Sequence, residues 1–228
     1  MNVYHASTRG KTETNWLESF HSYSFAEYVD PEREQFGALR VLNDDVIAPG
    51  KGFGVHSHQD MEIITIMLDG AVEHQDSTGS HGIVKKGEVQ VMSAGTGVLH
   101  SEMNASSTVP AKLLQIWILP NKRNLSPRYD QKMFNEQQGM QLLVSSDGQK
   151  DSLMIHQDVL LMRLRLASGK EFSYEVKKGH GLFTMVISGS VRMSQEILHA
   201  RDAAEITEHK IIFKAASNSD ILLIQIPL

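Results

Sequence analysis

Apolar residues along the chain gather in short runs cut by Gly, Asp, Asn and Ser, and helix-period patterns are scarce. Ile63-Ile64-Thr65-Ile66-Met67-Leu68 stops at Asp69-Gly70, and Ala71-Val72-Glu73-His74 resumes beyond it, which predicts two strands joined as a hairpin. A second turn at Asp76-Ser77-Thr78-Gly79 precedes Ile83-Val84, Lys86-Gly87 and Val89-Gln90-Val91-Met92. Residues 113–119 and 221–226 read as further strands. Many short strands at nearly regular spacing predict an antiparallel sandwich or barrel. Residues 126–136, with Pro127 near their start, are expected to be a short helical or irregular connector.

The pattern repeats. Ile66-Met67-Leu68-Asp69-Gly70-Ala71-Val72 is echoed by Val186-Ile187-Ser188-Gly189-Ser190-Val191, and Leu113-Leu114-Gln115-Ile116 by Leu223-Ile224-Gln225-Ile226. The two offsets, 119 and 110 residues, differ by nine, as loops of unequal length in duplicated β domains would make them. A chain of 228 residues accommodates two such domains, expected at 1–120 and 121–228.

Composition removes several alternatives. There is no cysteine, hence no disulfide framework, thiolate metal site or thiol nucleophile. Net charge is −5, with neither sign gathered into a long block, so no nucleic-acid partner is expected. The apolar runs are too short for a membrane-spanning helix, and residues 1–10 are mixed and polar. The expected compartment is the cytoplasm, with no membrane partner. Eleven histidines are the compositional oddity.

His56 and His58 stand two apart in a β-leaning stretch, so both side chains leave one face; His100 and Glu102 repeat that spacing. On facing strands of a small barrel the two pairs would aim four ligands at one interior point. Imidazoles with a carboxylate form a mixed N/O set suited to a divalent transition metal. Alone the pairs are weak, because about 0.5 His-x-His pairs arise by chance at this histidine content. Glu62 shares the face of His56 and His58, so strand parity does not choose between the two glutamates.

The frame around the pairs is more specific. Gly50, His56, His58, Glu62 and Gly70 stand at the spacing of the first signature of the cupin superfamily, and Gly87, Ser93-Ala94-Gly95-Thr96-Gly97-Val98-Leu99-His100 and Asn104 resemble the second. Ser93 where proline is usual, and the longer step from Gly95 to His100, resemble the pirin family. So do Phe20-His21-Ser22-Tyr23-Ser24-Phe25, Leu39-Arg40-Val41-Leu42-Asn43-Asp44-Asp45, His58-Gln59-Asp60-Met61-Glu62 and His74-Gln75-Asp76-Ser77.

That resemblance implies an all-β bicupin, two stacked antiparallel, jelly-roll-like β-barrels, with a metal in the first. It implies His56, His58, His100 and Glu102 as ligands, and two open metal positions. Fe2+ is the first choice, with Ni2+, Mn2+, Co2+, Cu2+ and Zn2+ as alternatives. Glu62 then becomes a carboxylate supporting the ligands. Phe53, Met92 and Met103, with Phe25 and Tyr28, are candidates for an apolar wall over the metal. The second barrel is expected to hold no metal, since Glu175 and Lys177 stand where the echo would place the His-x-His pair. The activity implied is that of quercetin 2,3-dioxygenases: opening the flavonol ring with O2 and releasing CO, with Glu102 as general base and a small phenolic or flavonol substrate. The alternative implied by the family is a metal-binding regulator acting through a protein partner.

Overall fold

A computed structural model describes residues 1–228. Apart from the 3-10 turns Ala6–Thr8 and Gln149–Asp151, all its regular structure is β. Each half is a seven-stranded sheet facing a four-stranded one. In the first, the large sheet runs Arg128–Met133, Glu88–Ser93, Glu62–Asp69, Ala111–Ile118, Leu39–Ile47, Leu17–His21, Gly10–Glu13, and the small one Gly52–His58, Val98–Asn104, Ala71–Asp76, His81–Lys85. The second half repeats this order: Asn2–Tyr4, Ala203–Ile206, His180–Ser188, Ser219–Pro227, Leu160–Leu166, Gly139–Ser145, Leu153–Met154 against Glu171–Glu175, Lys210–Ala215, Ser190–Met193, Glu196–His199. The duplication is therefore structural, and the fold is a bicupin.

The sheets do not divide at residue 120. Asn2–Tyr4 pairs with Ala203–Ile206 in the second half, and Arg128–Met133 pairs with Glu88–Ser93 in the first. The connector anticipated over residues 126–136 is thus largely a strand. Arg-Tyr-Asp-Gln-Lys-Met carries no apolar run to announce it, because this edge strand is only partly buried.

Asp69-Gly70 is a turn, but not a hairpin. Glu62–Asp69 pairs with Glu88–Ser93 and Ala111–Ile118, whereas Ala71–Asp76 pairs with Val98–Asn104 and His81–Lys85. The chain leaves one sheet for the other at Gly70, whose φ of 73° is open to glycine without strain and whose missing Cβ lets Pro110 approach. The Gly189 corner repeats the move.

The large sheets are covered on both faces, which explains the unbroken run at residues 63–68. Ile64 and Ile66 join Leu114 and Ile116 in a cluster with Phe183, Met185, Leu222 and Ile224 of the other barrel. Ile63, Thr65 and Met67 turn into their own barrel, whose ends are apolar: Leu17, Ile47, Met67 and Leu113 at one, Ile63, Met92, Ala94 and Val98 at the other. Tyr23 and Asp44, both in the motifs quoted above, bolt the halves together. The Tyr23 hydroxyl donates to Glu205, and Asp44 accepts from Arg9 and Arg201.

Between the two apolar ends lies a polar belt. Gln90, Thr65, Gln115, Asn43 and His21 are successive register partners across five strands, all buried. The second barrel also buries polar side chains, Thr184 and Gln225, on the central strands of its large sheet, but the inner face of its small sheet is apolar. Its strands Glu171–Glu175 and Lys210–Ala215 bury Tyr174, Ile211 and Phe213, while Glu175 is exposed and Lys177 pairs with Asp158.

Candidate metal centre

Gly52–His58 and Val98–Asn104 are neighbours in the small sheet rather than facing strands. His56 is directly opposite His100, and His58 opposite Val98, so alternation sends all three imidazoles to the barrel interior. A register shift between His100 and Glu102 interrupts the pairing with Gly52–His58 and brings Glu102 opposite Phe53. The turn entering Val98–Asn104 is fixed at Gly95, with φ of 48°, where any Cβ would run into the Leu125 carbonyl.

One nitrogen each of His56, His58 and His100 lie within 4.8 Å of one another. Nε2 of His56 is 3.0 Å from Nε2 of His100. Nδ1 of His56 donates to the Gly54 carbonyl at 2.8 Å, which leaves Nε2 as a lone pair facing inward. Burial first, then the neighbouring imidazoles, pushes His58 down to about 4 and His100 down to about 3. Both are neutral donors at neutral pH. Two nitrogens bound to one cation at about 2.1 Å stand about 3.0 Å apart at a right angle and about 3.4 Å apart at the tetrahedral angle. The residues present therefore fit a divalent metal with cis nitrogen ligands.

Glu102, 4% exposed, is set apart from His56 and His58 by its hydrogen bonds. Its Oε1 accepts from Gln90 Nε2 at 3.0 Å and Thr65 Oγ1 at 3.2 Å, and its Oε2 from Gln115 Nε2 at 2.7 Å. The belt across the large sheet is thus what holds this carboxylate. Glu102 shares its nearest potential ligand group with His100 and His74, again within 4.8 Å.

His74 is the residue that sequence reasoning missed. Fully buried, it stacks on Tyr129 at 4.4 Å between ring centroids and lies in register with Glu102. Its Nε2 is 3.1 Å from Asp76 Oδ2, and its Nδ1 is 3.5 Å from Nδ1 of His100. Burial works to raise the Asp76 carboxyl, but hydrogen bonds from Thr78, His74 and Ser80 outweigh it and hold it at about 2. An ionised Asp76 fixes the proton of His74 on Nε2. His74 Nδ1 then accepts from His100, whose own Nε2 faces inward as a lone pair. A metal-binding imidazole commonly has its outer nitrogen engaged in this way. The signal was present in His74-x-Asp76, which alternation puts on the same face as His100 once the strands are paired.

Glu62 does not reach the cluster. It is buried at the start of its strand, accepts from Ser93 Oγ at 2.7 Å and is pushed up to about 7 by burial. Of the anticipated wall residues, Phe53 and Phe25 line the cavity over the histidines, together with Trp117, whose indole meets His58 edge-on at 4.8 Å. Met92 instead packs with Ile63, Ala94 and Val98, and Met103 and Tyr28 also lie outside the lining, so the wall is aromatic rather than methionine-rich. The cavity is about 250 Å³ and also contains His100, Glu102 and Gln115.

Fold and site define a bicupin with a histidine-lined candidate metal centre in its first barrel. The chain belongs to the pirin family: residues 3–118 match Pirin, and residues 142–226 match the Quercetinase C-terminal cupin domain. A quercetin 2,3-dioxygenase of Escherichia coli (strain K12) is 44% identical over 223 residues, covering 97% of this chain and 96% of its own. The crystal structure of YhhW from Escherichia coli superposes with a TM-score of 0.97 at 43% identity, over 99% of this chain and 97% of that one. Bacterial pirin YhhW in complex with nickel(II) gives 0.96 at 42% identity, over 99% and 98%.

Proposed function

We propose that the chain is a metal-dependent dioxygenase of the quercetinase type, consuming O2, opening the central ring of a flavonol and releasing CO. The observation that carries this reading is the convergence of three imidazoles and a buried carboxylate on one cavity with aromatic walls. His56, His58 and His100 would hold a divalent metal, with Glu102 as the fourth protein ligand. When bound, the metal supplies Lewis acidity toward the substrate hydroxyl and the redox chemistry of dioxygen activation. Imidazole and carboxylate donors suit Fe2+ and Ni2+ alike; Fe2+ is our first assignment, and Ni2+ is the ion in the relative's structure.

The protein's own residues take the remaining roles. Glu102 is the general base that takes the proton of the flavonol hydroxyl. Gln90, Thr65 and Gln115 orient it, and as neutral donors they hold its charge without neutralising it. Phe25, Phe53 and Trp117 exclude water around a flat aromatic ligand.

Elemental analysis combined with O2 uptake and CO release on quercetin tests this. Roughly one metal per chain, with both gas signals lost in folded His56→Ala and Glu102→Gln, is the expected result. A metal-loaded protein that consumes no O2 on any flavonol would overturn it.

A further inference from the structure

The cavity has a second polar surface that the metal chemistry leaves unused. Strands Leu17–His21 and Leu39–Ile47 contribute two directly opposed pairs, Ser19 with Asp45 and His21 with Asn43, all lining the same cavity as the metal histidines. Within this group His21 is fully satisfied. Its Nδ1 donates to Asn43 Oδ1 at 2.8 Å and its Nε2 accepts from Thr12 Oγ1 at 2.8 Å. That leaves the imidazole no free nitrogen for a ligand.

Asp45 and Asn43 differ from it. Each is only 2% exposed, and each keeps one polar end without a protein partner. Asp45 Oδ1 accepts from Ser19 Oγ, and Oδ2 has no donor. Asn43 Oδ1 is engaged by His21, and its amide N–H2 has no acceptor. Both free ends are open to the cavity, and no arginine or lysine is among the residues lining it to neutralise the carboxylate. A free acceptor and a free donor two residues apart on one strand face are complementary to hydroxyl groups, which donate to the first and accept from the second.

We infer that Asp45 and Asn43 form a hydroxyl-reading subsite, selecting flavonols that carry ring hydroxyls beyond the one that meets the metal. The ligand class is a polyhydroxylated aromatic rather than any flat aromatic of the right size. A bare ring would leave Asp45 and Asn43 buried and unpaired, and sites built around substrate hydroxyls reject such analogues strongly. Asp45 is a specificity residue here, and Ser19 positions it. The inference rests on the flavonol reading above.

The test is anaerobic equilibrium binding to the Ni2+-loaded protein, followed by flavonol absorbance. It compares quercetin, which has several ring hydroxyls, with 3-hydroxyflavone, which has only the hydroxyl adjoining the carbonyl. Wild type is expected to bind quercetin at least about tenfold more tightly. In Asp45→Leu that ratio should collapse toward unity, with folding checked by circular dichroism. Equal affinities in wild type overturn the inference without any variant, as does an undiminished ratio in folded Asp45→Leu. Failure of both flavonols to bind strikes instead at the dioxygenase reading.

Discussion

Nε2 of His56 and Nε2 of His100 face one another across 3.0 Å, while Nδ1 of His56 is engaged by the Gly54 carbonyl. The backbone thus aims a lone pair at the position that a cation would share with His100. Such a pair is relieved when a cation enters, so metal binding and barrel stability are coupled.

Ni2+ at about 100 times its dissociation constant should raise stability by about 2.7 kcal/mol. Thermal unfolding of chelator-treated protein, with and without the ion, checks this. The rise should vanish in His56→Ala.

His74 and Asp76 touch no expected substrate position, yet they set the tautomer of His100. His74→Ala and Asp76→Asn should weaken metal binding roughly 10- to 100-fold. Competition against a chromogenic chelator measures it, and unchanged affinity in both variants would remove the chain Asp76–His74–His100 from the site's design.

Gln115→Leu removes the 2.7 Å donor to Glu102 while conserving side-chain volume approximately. With the proposed base no longer oriented, kcat on a flavonol should drop about 10- to 100-fold while metal content stays at the wild-type level. A fall in metal content instead would mean that Gln115 serves ligation.

Burial pushes Asp45 up to about 7, against the opposing hydrogen bond from Ser19. Between about pH 4 and 7 the folded state keeps a proton that the unfolded chain has lost, so stability falls as pH rises through that window and levels off above it. Glu62, raised to about 7 by burial, acts in the same direction. Urea unfolding across this range should show a slope shallower by about one proton in Asp45→Asn. An unaltered slope would place Asp45 among ordinary ionised carboxylates.

Several features were legible in the chain because they depend on local chemistry. The runs at residues 63–68, 113–119 and 221–226 are strands, since segments this short and apolar are buried in sheets. His56, His58 and His100 meet because alternation along each strand puts them on one face. The repeated corners at Gly70 and Gly189 disclosed the duplication. Other features lay outside any local rule. Asp69-Gly70 has hairpin chemistry, yet a turn signal does not say whether the next strand pairs with the last one or crosses to the opposite sheet. Arg128–Met133 becomes a strand because the edge of Glu88–Ser93 is open to it, a partner far off in the sequence.

By itself, then, the sequence determined an all-β duplicated chain and a histidine set with metal-binding chemistry, because period, turn residues and donor type are properties of neighbours in the chain. Only the tertiary structure decided which polar groups serve those histidines. Asp76 and His74 stand behind His100, Gln90, Thr65 and Gln115 hold Glu102, and Asp45 and Asn43 look into the cavity from the large sheet. Each of these roles depends on cross-strand register and on sheets folded face to face. Register is set by the packing of whole sheets, and no window of sequence contains it.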